Sequence, residues 1–168
     1  MSDNTETINE LFEYAIVLEK AAETLYRQLE KMFVHYPEVA LFWKHYADEE
    51  HGHAAYLGRM KARMDADRLS QQADVTILQK VQPCLEKASP TKWANVQTLE
   101  DAYQLANDLE SSEINTIFEF MIENFSTNEL AQSDLLRTQL SSHIARLDHG
   151  FPTPYKSRDA RQNVLAST

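Results

Sequence analysis

Apolar residues recur at helical spacing in four long segments of the chain, and polar residues interrupt the apolar stripe near the middle of these segments. The segments cover residues 6–34, 39–64, 98–125 and 127–148. Spacings of three and four residues place side chains on one face of an α-helix, whereas a half-buried strand would require strict alternation. The pattern therefore predicts an all-α protein whose helices turn their apolar faces toward a shared core.

The clearest interruption lies in the second segment. Its stripe is apolar on both sides, with Trp43 before the centre and Leu57 after it, but Glu50 and His53 occupy the centre itself. A carboxylate and an imidazole on a face that packs against the core are costly to desolvate unless a partner compensates them. Their offset of three residues stacks them on one helical surface, which favours a shared metal ion as that partner.

The other segments place polar groups in the same layer. Glu19 lies beside the stripe of the first segment, with Glu23 as the alternative ligand there. Glu110 and Glu113 interrupt the third stripe, although Glu113 could also simply face water. His143 interrupts the fourth stripe, where a lone histidine would more often be a hydrogen-bonded core residue than a ligand. An apparent internal repeat, which aligns Glu19 with Glu110 and His53 with His143, favours the ligand interpretation.

Together these residues form a coherent set of metal ligands. The candidates are Glu19, Glu50, His53, Glu110, Glu113 and His143. Four carboxylates would balance the charge of two divalent cations, and hard oxygen donors with a few imidazoles suit iron or manganese. Four-helix bundles hold such metal pairs with one Glu from each of two helices and a Glu-x-x-His from each of the other two. Three of the four helices here fit that scheme.

Three tyrosines lie on the same helix faces as the candidate ligands. They are Tyr26, Tyr46 and Tyr103. Their hydroxyl groups could donate hydrogen bonds to the ligating carboxylates, which would orient the ligands and tune the metal. The alternative is that they are plain aromatic residues of the core.

Turn signals divide the chain into two helical hairpins. We expect Asn4 or Thr5 to cap the first helix, and Pro37 to open the second helix after a tight turn. Residues 65–97 are long enough to cross from one end of a bundle to the other. We therefore predict one domain over residues 1–148 and a C-terminal tail over residues 149–168. Gly52 and Gly58, both inside the second helix, suggest close packing against a neighbouring helix.

Composition narrows the classes of partner. The chain has 168 residues, 43% of them hydrophobic, which suits one domain with a substantial core. A formal net charge of −10 without a basic stripe argues against nucleic acid as a partner. The chain shows no charged-then-apolar leader and no apolar run near the roughly 20 residues that cross a bilayer. We expect a soluble, cytoplasmic protein that does not bind membranes.

The motifs resemble those of rubrerythrins. The similarity rests on the segment Leu18–Tyr26, on Glu50–His53 and on the Glu110-x-x-Glu113 pair, and it extends roughly over residues 8–148. The resemblance implies a ferritin-like four-helix bundle of two antiparallel hairpins joined by a long crossover. It also implies a homodimer that binds two iron ions, with zinc or manganese as possible alternatives. The implied reaction is the reduction of peroxide or dioxygen. The only cysteine is Cys84, so the paired Cys-x-x-Cys of a rubredoxin-like module is absent and electrons must come from a separate donor protein.

One position departs from the family pattern. Leu140 stands where the second Glu-x-x-His would have its carboxylate, so one metal would have to draw on Glu113 or on water. This departure supports an alternative function, in which an asymmetric site binds or stores iron or zinc without turnover.

Overall fold

The computed structural model describes residues 6–111, 125, 145–147 and 149–151. Within the first of these ranges the chain forms seven helices, and an isolated antiparallel bridge between Thr7 and Gln72 is the one β-type pairing. The helices are α1 (Ile8–Met32), α2 (Pro37–Arg63), α3 (Ala66–Leu69), α4 (Val75–Leu78), α5 (Val81–Lys87), α6 (Pro90–Trp93) and α7 (Leu99–Glu110). The predicted all-α class is therefore confirmed.

Helix α1 begins later than expected. Its cap is Thr7, so the prediction of Asn4 or Thr5 was wrong. The Thr7 side chain accepts a hydrogen bond from the Glu10 amide, and the Glu10 carboxylate accepts one at 2.7 Å from the Thr7 amide. This reciprocal capping box satisfies two amides that the first helical turn leaves unpaired, which neither Asn4 nor Thr5 could do at this register. Pro37 opens α2 as predicted.

Helices α1 and α2 pack against each other along their length in antiparallel orientation. Charged contacts between the helices show this orientation, because Glu13 pairs with Lys61 at 2.6 Å and Arg27 pairs with Asp48 at 2.6 Å. Most of the buried residues of the two helices are apolar, and Leu25 and Trp43 are both at 0% exposure. Burial of each such side chain contributes roughly 1.5–3 kcal/mol, far more than the exposed ion pairs.

The connection between α2 and α7 runs along α1. At its start, Gln72 pairs with Thr7 beside the N-terminus of α1. At its end, Trp93 of α6 lies beside the stretch of α1 that contains Arg27 and Lys31. The connection consists of the four short helices α3 to α6. The chain is thereby carried toward the other end of α1 before α7 starts.

The third predicted helix is described in its first half. Thr98 caps α7 in a capping box with Asp101, and Glu110 is the last residue of the helix. Phe125, which the prediction placed at the end of the same segment, is buried with its ring centroid 5.4 Å from that of Phe12. Residues 112–124, most of the predicted fourth helix over 127–148, and most of the predicted tail lie outside the described residues. None of the described helices combines the length and the apolarity that a bilayer crossing requires.

The two glycines inside α2 do not mark a close helix contact. Among the described residues, a Cβ atom built at Gly52 or at Gly58 would meet nothing within 4 Å. The expectation of tight packing at these positions was therefore wrong.

Replacing either glycine by alanine should stabilise the protein. Gly52→Ala and Gly58→Ala are each expected to raise the free energy of unfolding by about 0.5–1 kcal/mol, because alanine loses less backbone entropy in a helix and has room here. Urea denaturation followed by circular dichroism measures the change. The matched control is Ala55→Gly at another exposed position of α2, which should lower the free energy of unfolding by a similar amount. A loss of stability in Gly52→Ala or Gly58→Ala would show that a neighbouring group occupies this space.

Candidate metal centre

Three of the predicted ligands converge in the interior of the first hairpin. Glu19 comes from α1, and Glu50 and His53 come from α2. One ligand atom from each residue lies within 4.8 Å of the other two, and the residues are only 4%, 4% and 3% exposed. A single ion placed among these atoms could be reached by all three side chains.

Small residues make room for this polar group between two tightly packed helices. One helical turn before and after Glu19 and Glu50, the buried residue on the same face is alanine. These residues are Ala15, Ala22, Ala47 and Ala54. A larger side chain at these positions would fill the space into which the carboxylates turn. These alanines are visible in the sequence, but the spacing of apolar residues alone does not distinguish a small core residue from a large one.

The imidazole of His53 lies among carboxylate oxygens. Its Nδ1 atom is 3.1 Å from Oε2 of Glu50 and 3.6 Å from Oε2 of Glu19. Burial alone would lower the pKa of His53. The contact with Glu19 and the negative charges of Glu49 and Glu110 outweigh burial, so the pKa of His53 lies above its ordinary value. The position is therefore one where positive charge is favoured.

Glu110 lies in the same layer but is not a member of the three-residue cluster. It is 2% exposed at the end of α7, and its Oε1 accepts a hydrogen bond from the hydroxyl of Tyr26. Burial, and then the charges of Glu110 and Glu50, raise the pKa of the Tyr26 hydroxyl well above its ordinary value. Tyr26 therefore stays protonated and remains a hydrogen-bond donor to Glu110.

Tyr46 and Tyr103 belong to an aromatic layer beside the cluster. The ring of Tyr46 meets the edge of Tyr26 at 5.3 Å, and the ring of Tyr103 lies 5.2 Å from Phe151. Burial and the charge of Glu110 raise the pKa of Tyr46. The stacked pair of Tyr26 and Trp43, 5.8 Å apart, joins this layer to the carboxylates. The layer shields one side of the cluster from water.

Sequence reasoning missed an ion pair next to the cluster. Arg146 donates two hydrogen bonds to Glu49, one of them at 2.7 Å, and its guanidinium lies 5.8 Å from the ring centroid of Tyr46. The pair brings residue 146 against α2 directly beside Glu50. No spacing in the sequence marks such a contact, because Glu49 lies off the apolar stripe and the two residues are far apart in the chain.

The residues present fit a cation such as iron. Glu19 and Glu50 carry two negative charges when ionised, and His53 can offset at most one of them. Burial of net negative charge is expensive, and a bound divalent cation would remove this cost. Two carboxylates and an imidazole are donors that iron and manganese accept readily. Glu113 and His143, the other two candidate ligands, and Leu140 lie outside the described residues.

Comparison with known proteins agrees with this geometry. The sequence model of the rubrerythrin family matches residues 10–124, more than half of the chain. That range contains Glu19, Glu50, His53 and Glu110. No curated protein and no solved structure matches the chain at a significant level. The family match, the buried Glu and His cluster and the all-helical fold agree with a ferritin-like di-iron carboxylate protein, and the chain belongs to the rubrerythrin family.

Proposed function

We propose that this protein is a non-haem di-iron oxidoreductase of rubrerythrin type, which reduces peroxide or dioxygen with electrons from a separate donor protein. The observation that carries the proposal is the convergence of Glu19, Glu50 and His53 within 4.8 Å in a buried layer of a rubrerythrin-family chain. When bound, two ferrous ions supply one electron each, so that an oxidant can accept two electrons at one site.

Each ligand has a role in this proposal. Glu19, Glu50 and His53 would hold the metal from the first hairpin, and Glu110 of α7 would be a further ligand. Glu113 and His143 are proposed as the remaining ligands. Carboxylates suit this task because they can change between bridging, bidentate and monodentate binding as the charge of the metal changes.

The surrounding residues exclude water and fix the ligands. The buried side chains of Phe12, Trp43 and Tyr46 close the layer around the carboxylates. The Tyr26 hydroxyl orients the carboxylate of Glu110, and it keeps this role across the physiological range because its pKa is raised. Tyr26 is thus a positioning residue, as outer ligand-sphere groups are in other metal sites.

Electrons have to come from outside the chain. The single cysteine, Cys84, is buried in the core, so the chain offers no cysteine pair for an electron-transfer centre. A separate protein is therefore the proposed donor. A homodimer remains a prediction, and so does a cytoplasmic location.

Metal content and oxidation test the proposal. Protein loaded anaerobically should bind two irons per chain, and peroxide should oxidise them, as measured by elemental analysis and optical absorption. Glu50→Gln should weaken iron binding by at least about tenfold, because it removes a buried negative charge from the cluster. The control, Glu38→Gln in the exposed first turn of α2, should leave iron binding unchanged. Iron that binds but is not oxidised by peroxide would favour the alternative of a binding or storage protein. If Glu50→Gln binds iron as tightly as Glu38→Gln does, the assigned site is contradicted.

The positioning role of Tyr26 is tested by removing its hydroxyl group. Tyr26→Phe should lower iron affinity by about 10–100-fold, as other changes in the outer ligand sphere do. The free energy of unfolding of the metal-free protein should fall by about 1–3 kcal/mol, because a buried carboxylate loses a donor. Tyr14→Phe, at a tyrosine that is 38% exposed, is the control and should change stability by less than about 0.5 kcal/mol. Equal iron affinity in Tyr26→Phe and in the parent protein would refute the role.

A further inference from the structure

A basic groove runs along the outer side of α1. It has a volume of about 510 Å³, and its floor is α1, with His51 of α2 and Trp93 of α6 at its sides. Its charged and aromatic lining residues are Lys20, Glu23, Arg27, Lys31, His51 and Trp93. We call it the Lys20–Lys31 groove. The proposed redox chemistry uses none of these residues.

The charge of the groove is opposite to that of the chain. Lysine and arginine outnumber glutamate by three to one in its lining, whereas the whole chain carries a formal charge of −10. Arg27 is already engaged by three carboxylates, those of Asp48 at 2.6 Å, Glu30 at 3.6 Å and Glu23 at 3.7 Å, and Glu23 also contacts His51 at 3.2 Å. Lys20 and Lys31 are exposed and form no ion pair with any residue in the part of the chain that the structure describes. They are therefore the two ammonium groups available to a partner.

The groove lies next to the candidate metal centre. Glu23 is one helical turn from Glu19 on α1, and its partner His51 follows Glu50 directly on α2. Only the two helices of the first hairpin separate the groove from the cluster. A redox partner seated here would approach the metals from the side on which Glu19, Glu50 and His53 hold them.

The spacing of the two lysines indicates the size of the partner. Lys31 is eleven positions after Lys20 on α1, which corresponds to about 16 Å along the helix axis. One small anion cannot contact both ammonium groups at that distance, whereas the acidic surface of a protein can. Trp93, which also lines the groove, is a residue type that often anchors protein interfaces.

We propose that the Lys20–Lys31 groove is the docking surface for an acidic electron-donor protein. This inference rests on the proposed function and names the partner of the same site. Attraction to the groove and repulsion by the acidic remainder of the surface both favour one orientation of an acidic donor. Each donor gives up one electron per encounter, so two encounters supply the two electrons that, with two protons, convert one peroxide molecule into two water molecules.

Paired charge reversals test the docking surface. Lys20→Glu combined with Lys31→Glu changes the groove, and Arg59→Glu combined with Arg63→Glu makes the same change in net charge at exposed positions of α2 outside it. The probe is an acidic plant-type [2Fe–2S] ferredoxin. Calorimetry measures its affinity in oxidised form for the zinc-loaded protein. Stopped-flow absorption measures the rate at which its reduced form re-reduces the peroxide-treated iron protein.

The groove variant should lose at least about tenfold in both ferredoxin affinity and re-reduction rate at low ionic strength. Its rate should also depend less steeply on salt, because fewer charge pairs form. The control variant should change each value by less than about twofold. Thermal melts of both variants confirm that each is folded at the assay temperature.

Three outcomes would overturn the docking proposal. The first is an equal loss of ferredoxin affinity and re-reduction rate in the two variants. The second is that ferredoxin does not bind the parent protein at low ionic strength. The third is that sedimentation shows a change of oligomeric state in the groove variant alone, which would place a second copy of the chain in the groove. A small reduced dye needs no docking surface, so it separates a failure of the docking proposal from a failure of the proposed function. If the dye re-reduces all variants equally, only docking is at stake, and if peroxide never oxidises the iron protein, the proposed function itself fails.

Discussion

The burial of carboxylates between two apolar helices is the constraint on which the rest of the structure depends. Glu19 and Glu50 lie at the centre of the α1–α2 interface, where each is almost inaccessible to water. Ionised carboxylates in such a place cost several kcal/mol unless positive charge or hydrogen-bond donors compensate them. His53 supplies part of this compensation, because its imidazole lies beside both carboxylates. A bound metal cation would supply the remainder.

The hydrophobic pattern predicted this layer because a helix has a fixed period. Once Glu50 and His53 were located on the apolar face of α2, their burial and their mutual contact followed from helical geometry alone. Glu19 and Glu110 could be placed in the same layer on the same argument, and both are buried. Their distances from one another could not be predicted, because these depend on how far each helix is shifted along its neighbour. That shift is set by side-chain packing between the helices, including the packing of the buried alanines around Glu19 and Glu50.

Features that depend on local register or on tertiary contacts were harder to predict. The start of α1 was misplaced because Asn4, Thr5 and Thr7 all have side chains that can cap a helix, and only the position of Glu10 distinguishes them. The glycines of α2 were misread because a missing side chain indicates either a close neighbour or open space. The Lys20–Lys31 groove exists only because the crossover brings Trp93 against α1, and no periodic pattern in either segment records that contact.

The origin of the ligands in the chain has a consequence for folding. Glu19, Glu50 and His53 all belong to one helical hairpin with a four-residue turn, and contacts of such short sequence separation form early and rapidly. Glu110, in contrast, reaches Tyr26 only after the crossover has closed a much longer loop. The three-residue cluster therefore assembles locally, whereas the contact between Tyr26 and Glu110 requires the slower docking of α7.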